Sequence, residues 1–330
     1  MKKLNGWQVV LLIAVPLAII LLSMFIGRYP RPYWMSPELL SSDPLARSLV
    51  LNLRLPRLLA AFLLGMSLAV AGAVMQMLFR NPLVEPGFLG VTQGAAFGAG
   101  LSILMMGGIS LATQTSAILF GFAGLALSYL LARRIRFGGW VLRLVLAGIA
   151  VSALFSSGVG VLKYLADPTS QLPELVFWML GGLYAVTWSD LLSVLPFVLI
   201  GLTLIFLMRW RLNVLSLSDE TAFSLGASVE RERLLLLVAA VAITALMVSI
   251  AGIVGWVGLI IPHIARRVVG PNAAHSIPAS MLIGGAFVVL CDDIARSLLA
   301  GEIPLGILTS LLGALIFIIM MATNKLRVQR

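Results

Sequence analysis

Apolar residues run through this chain in long, nearly unbroken blocks, separated by short polar or basic clusters. Many blocks approach the roughly 20 residues that a helix needs to cross a bilayer. Ten are legible, at 7–27, 56–79, 88–106, 114–132, 141–162, 190–208, 234–252, 256–269, 277–299 and 305–322. The eighth is short and contains Pro262, which predicts a tilted or partly irregular segment. The block from Leu175 to Val186 is too short to span and predicts a re-entrant or interfacial helix. Residues 7–27 could be mistaken for a signal peptide. The polar stretch after them lacks a small-x-small cleavage site, so a retained first span is expected. A transmembrane β-barrel would alternate polarity within ten-residue segments, and these blocks do not. The expectation is an all-α integral membrane protein of about ten transmembrane helices, a single transmembrane domain over 1–330.

Basic residues set the orientation. With the N-terminus in the cytoplasm, the inner segments hold Lys2, Lys3, Arg80, Arg133, Arg134, Arg136, Arg143, Arg209, Arg211, Arg231, Arg233, Arg266, Arg267, Lys325, Arg327 and Arg330, which is 16 of the 23 Lys and Arg. This bias predicts both termini inside. Trp7, Trp34, Trp140, Trp178, Trp188, Trp210 and Trp256 fall at or beyond predicted span ends, as in an aromatic belt. Five of the seven outer cations (Arg28, Arg31, Arg47, Arg54 and Arg57) cluster in the outer loop and span start at 28–57; Lys163 and Arg296 are the others. The cluster is either a headgroup-facing loop or a docking surface for an acidic partner. Gly94-x-x-x-Gly98 and Ala69-x-x-x-Ala73 predict close helix approach.

Composition narrows the function. Apolar residues make up 60% of the 330 and charged residues 11%, against about 25% charged in soluble domains. That excludes a soluble enzyme and a disordered chain. Cys291 is the single cysteine, so a disulfide scaffold is excluded as well. The net charge of +10 is spread over short inter-span clusters, which argues against nucleic acid as a partner. None of the four lysines follows a glycine, so the chain carries no P-loop. His263 and His275 do not have zinc-helix spacing, and a helix-end role for His263 is expected. Mid-span ionisable groups are nearly absent; Asp292 and Asp293 come closest, and Asp292 can pair with Arg296 four residues on. An ion-coupled secondary carrier usually needs such groups, so the energy for transport is expected to come from another subunit.

The longest cytoplasmic loop, 209–233, contains Leu215-Ser-Leu-Ser-Asp-Glu-Thr-Ala-Phe-Ser-Leu-Gly226. Ser218 or Asp219 can cap a short helix over Glu220–Leu225, and Gly226 can end it. Ala222, Phe223 and Leu225 would then be apolar groups outside the membrane, suited to a partner's groove or to lying on lipid.

Glu220-x-Ala222-x-x-x-Gly226 resembles the coupling-loop pattern of ABC-importer permeases. Arg54-Leu-Pro-Arg57, Gly72-Ala-Val-Met-Gln76, Asn81-Pro-Leu-Val-Glu-Pro-Gly87, Leu146-Ala-Gly148 and Phe177-Trp-Met-Leu-Gly-Gly182 resemble the iron-chelate and vitamin B12 branch, the FecCD-type family. So do Gly255-Trp-Val-Gly-Leu-Ile-Ile-Pro-His263, Asp293-Ile-Ala-Arg296 and Glu302-Ile-Pro-Leu-Gly306. The resemblance implies a ten-span, type II importer permease of the cytoplasmic membrane. It implies a two-fold dimer, most simply a homodimer, with the path between the copies. Two ATPase subunits would dock through Leu215, Ser218, Asp219, Glu220, Ala222, Leu225 and Gly226, and would hold the ATP–Mg; this chain would bind no cofactor or metal. A periplasmic or lipid-anchored solute-binding protein would dock on Arg54, Arg57 and Arg296. The cytoplasmic gate region would include Phe137, Val141 and Leu142. The family carries ferric siderophores, haem, cobalamin and, in some members, molybdate or tungstate; a ferric siderophore is the first expectation. A secondary carrier and an intramembrane enzyme are the alternatives, separable by whether an ATPase co-purifies.

Overall fold

A computed structural model of the protein describes residues 6–29, 33–299 and 301–323. The described residues form fourteen α-helices. Helix α1 (Gly6–Ser23) leads into a two-stranded hairpin, β1 (Ile26–Gly27) and β2 (Tyr33–Trp34), then α2 (Leu39–Ser42) and α3 (Pro44–Leu49). A π-helical turn, Val50–Arg54, passes without a break into α4 (Leu55–Leu78). The bundle continues with α5 (Val91–Met106), α6 (Ser110–Arg134), α7 (Trp140–Leu165), α8 (Gln171–Leu180) and α9 (Trp188–Leu215). It closes with α10 (Asp219–Ser224), α11 (Val229–Ala251), α12 (Val257–Val269), α13 (Ala273–Ser297) and α14 (Leu305–Ala322).

A helix stands at each of the ten predicted spans, and eight are long and apolar enough to cross a membrane. The other two, α5 and α12, have 16 and 13 residues, about 24 and 20 Å at 1.5 Å per residue. Both are short because the chain before them is re-entrant. After α4 the chain turns back into the bundle, and Gly90, at φ +77°, sits against Val151 halfway along α7. After α11, residues 252–255 have no regular secondary structure, with Gly252 at φ +65°, before α12 begins. The irregular part of the eighth segment is therefore its entrance, and Pro262 lies inside regular helix. Trp256, the N-cap of α12 at φ +70°, packs against Gly313 and Phe317. It is half-buried against α14.

Helix α4 is the most buried span. Gly65 meets Gly284 of α13 and Gly72 meets Gly258 of α12 so closely that a Cβ at either would strike backbone. Gly94 and Gly98 of α5 meet the Phe120 and Ser116 carbonyls of α6, and the Ala69 methyl lies against Gly284. With no water to expel between spans, this backbone contact is a main source of helix affinity in lipid.

The first outer segment is a small folded cap, not an open loop. Met35, Ala46 and Val50 are buried beneath Phe25, Tyr29 and Leu40, and the Tyr29 hydroxyl donates to Asp43 at 2.9 Å. That bond holds the Asp43 carboxyl below its ordinary range. Lys2, Lys3, Arg31, Lys325, Arg327, Arg330 and the predicted cytoplasmic placement of both chain ends lie outside the described residues.

Candidate coupling and docking sites

On the predicted outer face, the three expected docking arginines are engaged within the chain. Arg57 donates from Nε and Nη2 to both carboxylate oxygens of Asp292 at 2.9–3.0 Å, and from Nη1 to Glu302 at 2.8 Å. Arg296 binds Asp293 and the Ser23 carbonyl, and the Ser23 hydroxyl donates to Asp293. Arg54 donates to the carbonyls of Met24 and Tyr29 at 3.1 Å. Arg54, Arg296, Asp292 and Asp293 are all buried. Buried charges need partners, and within the chain these have them. The expected pair of Asp292 with Arg296 is present at 3.7 Å, and Arg57 holds both carboxylate oxygens more closely. The cluster joins the end of α1, the start of α4 and the end of α13. A cavity of about 420 Å³ beside it is lined by Arg57, Glu174, Phe177, Tyr184 and Glu302. The cations left exposed on this side include Arg28 and Arg47.

On the opposite face, the segment 209–233 is mostly helix. Helix α9 extends through Arg209 to Leu215, and α11 begins at Val229, so the connection is short and carries α10. Ser218 caps α10 by accepting the Thr221 N–H at 3.2 Å, and Gly226 follows at φ +77°, a conformation glycine adopts without strain. The helix runs Asp219–Ser224, one residue earlier than expected. Leu215 is fully buried at the end of α9 and Ala222 is buried beneath α10, so neither presents a side chain outward. Glu220, Phe223 and Leu225 do, with Phe223 76% exposed.

Asp219 ties α10 to the bundle. Its Oδ1 accepts from Arg233 at 2.8 Å and from Arg80 at 3.2 Å, and Arg80 also reaches the Leu217 carbonyl. The Arg233 hydrogen bond lowers the Asp219 pKa below the usual carboxylate value, with Arg80 adding to the effect. The Arg233 guanidinium carbon lies 4.6 Å from the centroid of Trp140, the first residue of α7. Beside it, in the segment expected to form the gate, Phe137 and Leu142 are exposed and Val141 is half-buried against the core.

Near the C-terminal end of α4, Gln76 donates to the carbonyls of Gly258 and Leu259 and accepts from Arg266 at 2.5 Å. His263 Nε2 donates to the Pro82 carbonyl at 2.9 Å, the structural role expected of it. Among the described residues no cluster of His, Cys, Asp or Glu could hold a metal. Sequence reasoning missed Glu85. Its carboxylate accepts the Trp256 backbone N–H and lines a cavity of about 370 Å³ with Thr92, Gln93, Ser152 and Thr244. The signal in the sequence was slight, an acid set between Pro82 and Pro86.

The pattern of the FecCD transport family matches residues 12–323. The chain belongs to this family. It is 41% identical over 305 residues to the molybdate import system permease protein MolB of Haemophilus influenzae, covering 90% of this chain and 89% of that one. It is 40% identical over 276 residues to the hemin transport system permease protein HmuU of Yersinia pestis, covering 81% of each. A solved inward-facing structure of a metal-chelate type ABC transporter matches with a TM-score of 0.87 and 38% identity, covering 94% of this chain and 97% of that one. The protein is an ABC transporter permease of the cytoplasmic membrane.

Proposed function

We propose that this chain is the permease subunit of an ATP-driven importer that brings a metal chelate or metal oxyanion into the cell. One observation carries the reading: near-full-length similarity to a metal-chelate type ABC transporter. Relatives of comparable identity are named for molybdate, hemin and iron chelatin, which supports the expected range of cargoes without singling out the ferric siderophore.

In this reading two copies pair around the path, and each seats one ATPase on α10. Exposed Glu220, Phe223 and Leu225 offer a small contact face of the kind that enters a groove. ATP–Mg sits in the ATPase, and this chain moves with it. A solute-binding protein delivers cargo to the outer face, where exposed Arg28 and Arg47 provide steering charge. The Arg54, Arg57 and Arg296 cluster then supports that face from beneath by fixing α1, α4 and α13 together.

Elemental analysis of proteoliposomes tests this. The complex of permease, ATPase and binding protein should accumulate iron, cobalt, molybdenum or tungsten only when ATP is present on the ATPase side. Accumulation driven by a proton or sodium gradient without ATPase would establish a secondary carrier instead, with Glu85 the first residue to mutate.

A further inference from the structure

We propose that Arg233 and Trp140 transmit the position of α10 to the gate segment at the start of α7. The proposal rests on α10 being the seat of the ATPase and on Phe137–Leu142 forming the gate, and adds how the motion of one reaches the other.

Helix α10 has six residues, too few to hold itself rigid. It moves the bundle through its ties. Asp219 is the charged tie, and it is shared between Arg233 of α11 and Arg80 just after α4. The two links differ in strength. The Arg80 side chain is 43% exposed and that of Arg233 only 7%, so the second pair is less screened by solvent.

Arg233 also carries the contact onward. Its guanidinium donates at its edge to Asp219 and stands over the ring of Trp140, a cation–π contact that strengthens away from water. Trp140 in turn packs on Phe79, with centroids 5.4 Å apart, and Arg80 follows Phe79 in the chain. Asp219, Arg233, Trp140 and Phe79 therefore close a ring through α10, α11, α7 and the end of α4.

Two features make this ring able to move. A cavity of about 380 Å³ between α10 and α7 is lined by Tyr129, Trp140, Arg143, Phe223 and Glu230. Arg233 thus bridges a gap where the two helices are not packed flush. Immediately before Trp140, Gly138 sits at φ +73°, followed by Gly139, a pair that can absorb a backbone rotation. Pulling Asp219 would turn Arg233, and Trp140 would swing with it, carrying Val141 and Leu142. The other nearby pair, Arg211 with Glu232 at 2.5 and 2.8 Å, joins α9 to α11 and bypasses α7.

The test uses Phe137→Cys in the complete complex with its ATPases. Native Cys291 is buried, so maleimide labelling reports position 137. The labelling rate should change between the nucleotide-free and the ATP–vanadate states. Arg233→Gln and Trp140→Leu should each shrink that change by roughly tenfold, while Trp140→Phe, which keeps a ring for Arg233, should retain most of it. Asp219→Asn combined with Trp140→Leu should be no worse than the stronger single change, as expected for one shared route. An unchanged response in both Arg233→Gln and Trp140→Leu, with ATPase still bound, overturns the relay. So does a parent whose labelling ignores nucleotide. Absence of ATPase from the parent complex instead contradicts the coupling reading on which the relay rests.

Discussion

Arg57 and Asp292 meet in a two-point geometry, with Nε and Nη2 of the guanidinium against both carboxylate oxygens, 235 residues apart in the chain. The Asp292 side chain is wholly shielded. Removing one partner leaves the other charge buried and unpaired, which costs about 3–5 kcal/mol. Asp292→Asn and Arg57→Gln should each lower the melting temperature of the purified protein sharply, and the double variant should lose less than the sum. Glu302→Gln removes a partner that is 44% exposed and should cost about 1 kcal/mol or less. Strict additivity of the two large changes would contradict the pairing.

The α4–α13 seam gives a second prediction. Gly65→Val would place a branched side chain on the backbone of Gly284. Overpacking of this kind costs about 1–3 kcal/mol or more. Thermal unfolding in detergent should show the loss, whereas Gly160→Ala, on a helix position with open space around it, should leave the transition within about 0.5 kcal/mol. Equal behaviour of the two variants would contradict the close approach.

Exposed apolar groups on α10 should matter to binding and not to folding. Phe223→Ala removes a largely exposed ring, so stability should shift by no more than about 0.5 kcal/mol. Retention of ATPase on the affinity column should fall markedly. Undiminished ATPase retention would remove Phe223 from the contact.

The Asp219 tether should be insensitive to pH over the physiological range. Its carboxyl is depressed, first by the Arg233 hydrogen bond and then by Arg80. A depressed acid contributes stability above its unfolded value and loses it only as pH falls through the lowered one. Hydrogen exchange at residues 218–228, corrected for intrinsic rates, should show constant protection from pH 8 to pH 5. Asp219→Asn should reduce protection at pH 7. A loss of protection in the parent near pH 6 would contradict the tether.

The spans were legible because bilayer thickness fixes the length of an apolar block, and helix caps have local signatures such as Ser218 and Gly226. What escaped depends on three-dimensional company. Arg54, Arg57 and Arg296 read as outer cations by count, yet their acceptors, Asp292, Asp293, Glu302 and the carbonyls of Ser23, Met24 and Tyr29, come largely from distant segments. The contact of Trp256 with Phe317 of α14 is likewise invisible to a hydropathy pattern. Glu85 was hidden for the same reason: the chain doubles back before α5, and a linear pattern assigns that stretch to a loop.

The central claim is that this permease works with an ATPase seated on α10. The most direct measurement is affinity purification from the native membrane in mild detergent, with gentle crosslinking and mass spectrometry of what is retained. The account predicts an ABC ATPase in amounts equal to the permease, with crosslinks to residues 218–226. A homogeneous permease without ATPase, reproduced after crosslinking, would contradict it.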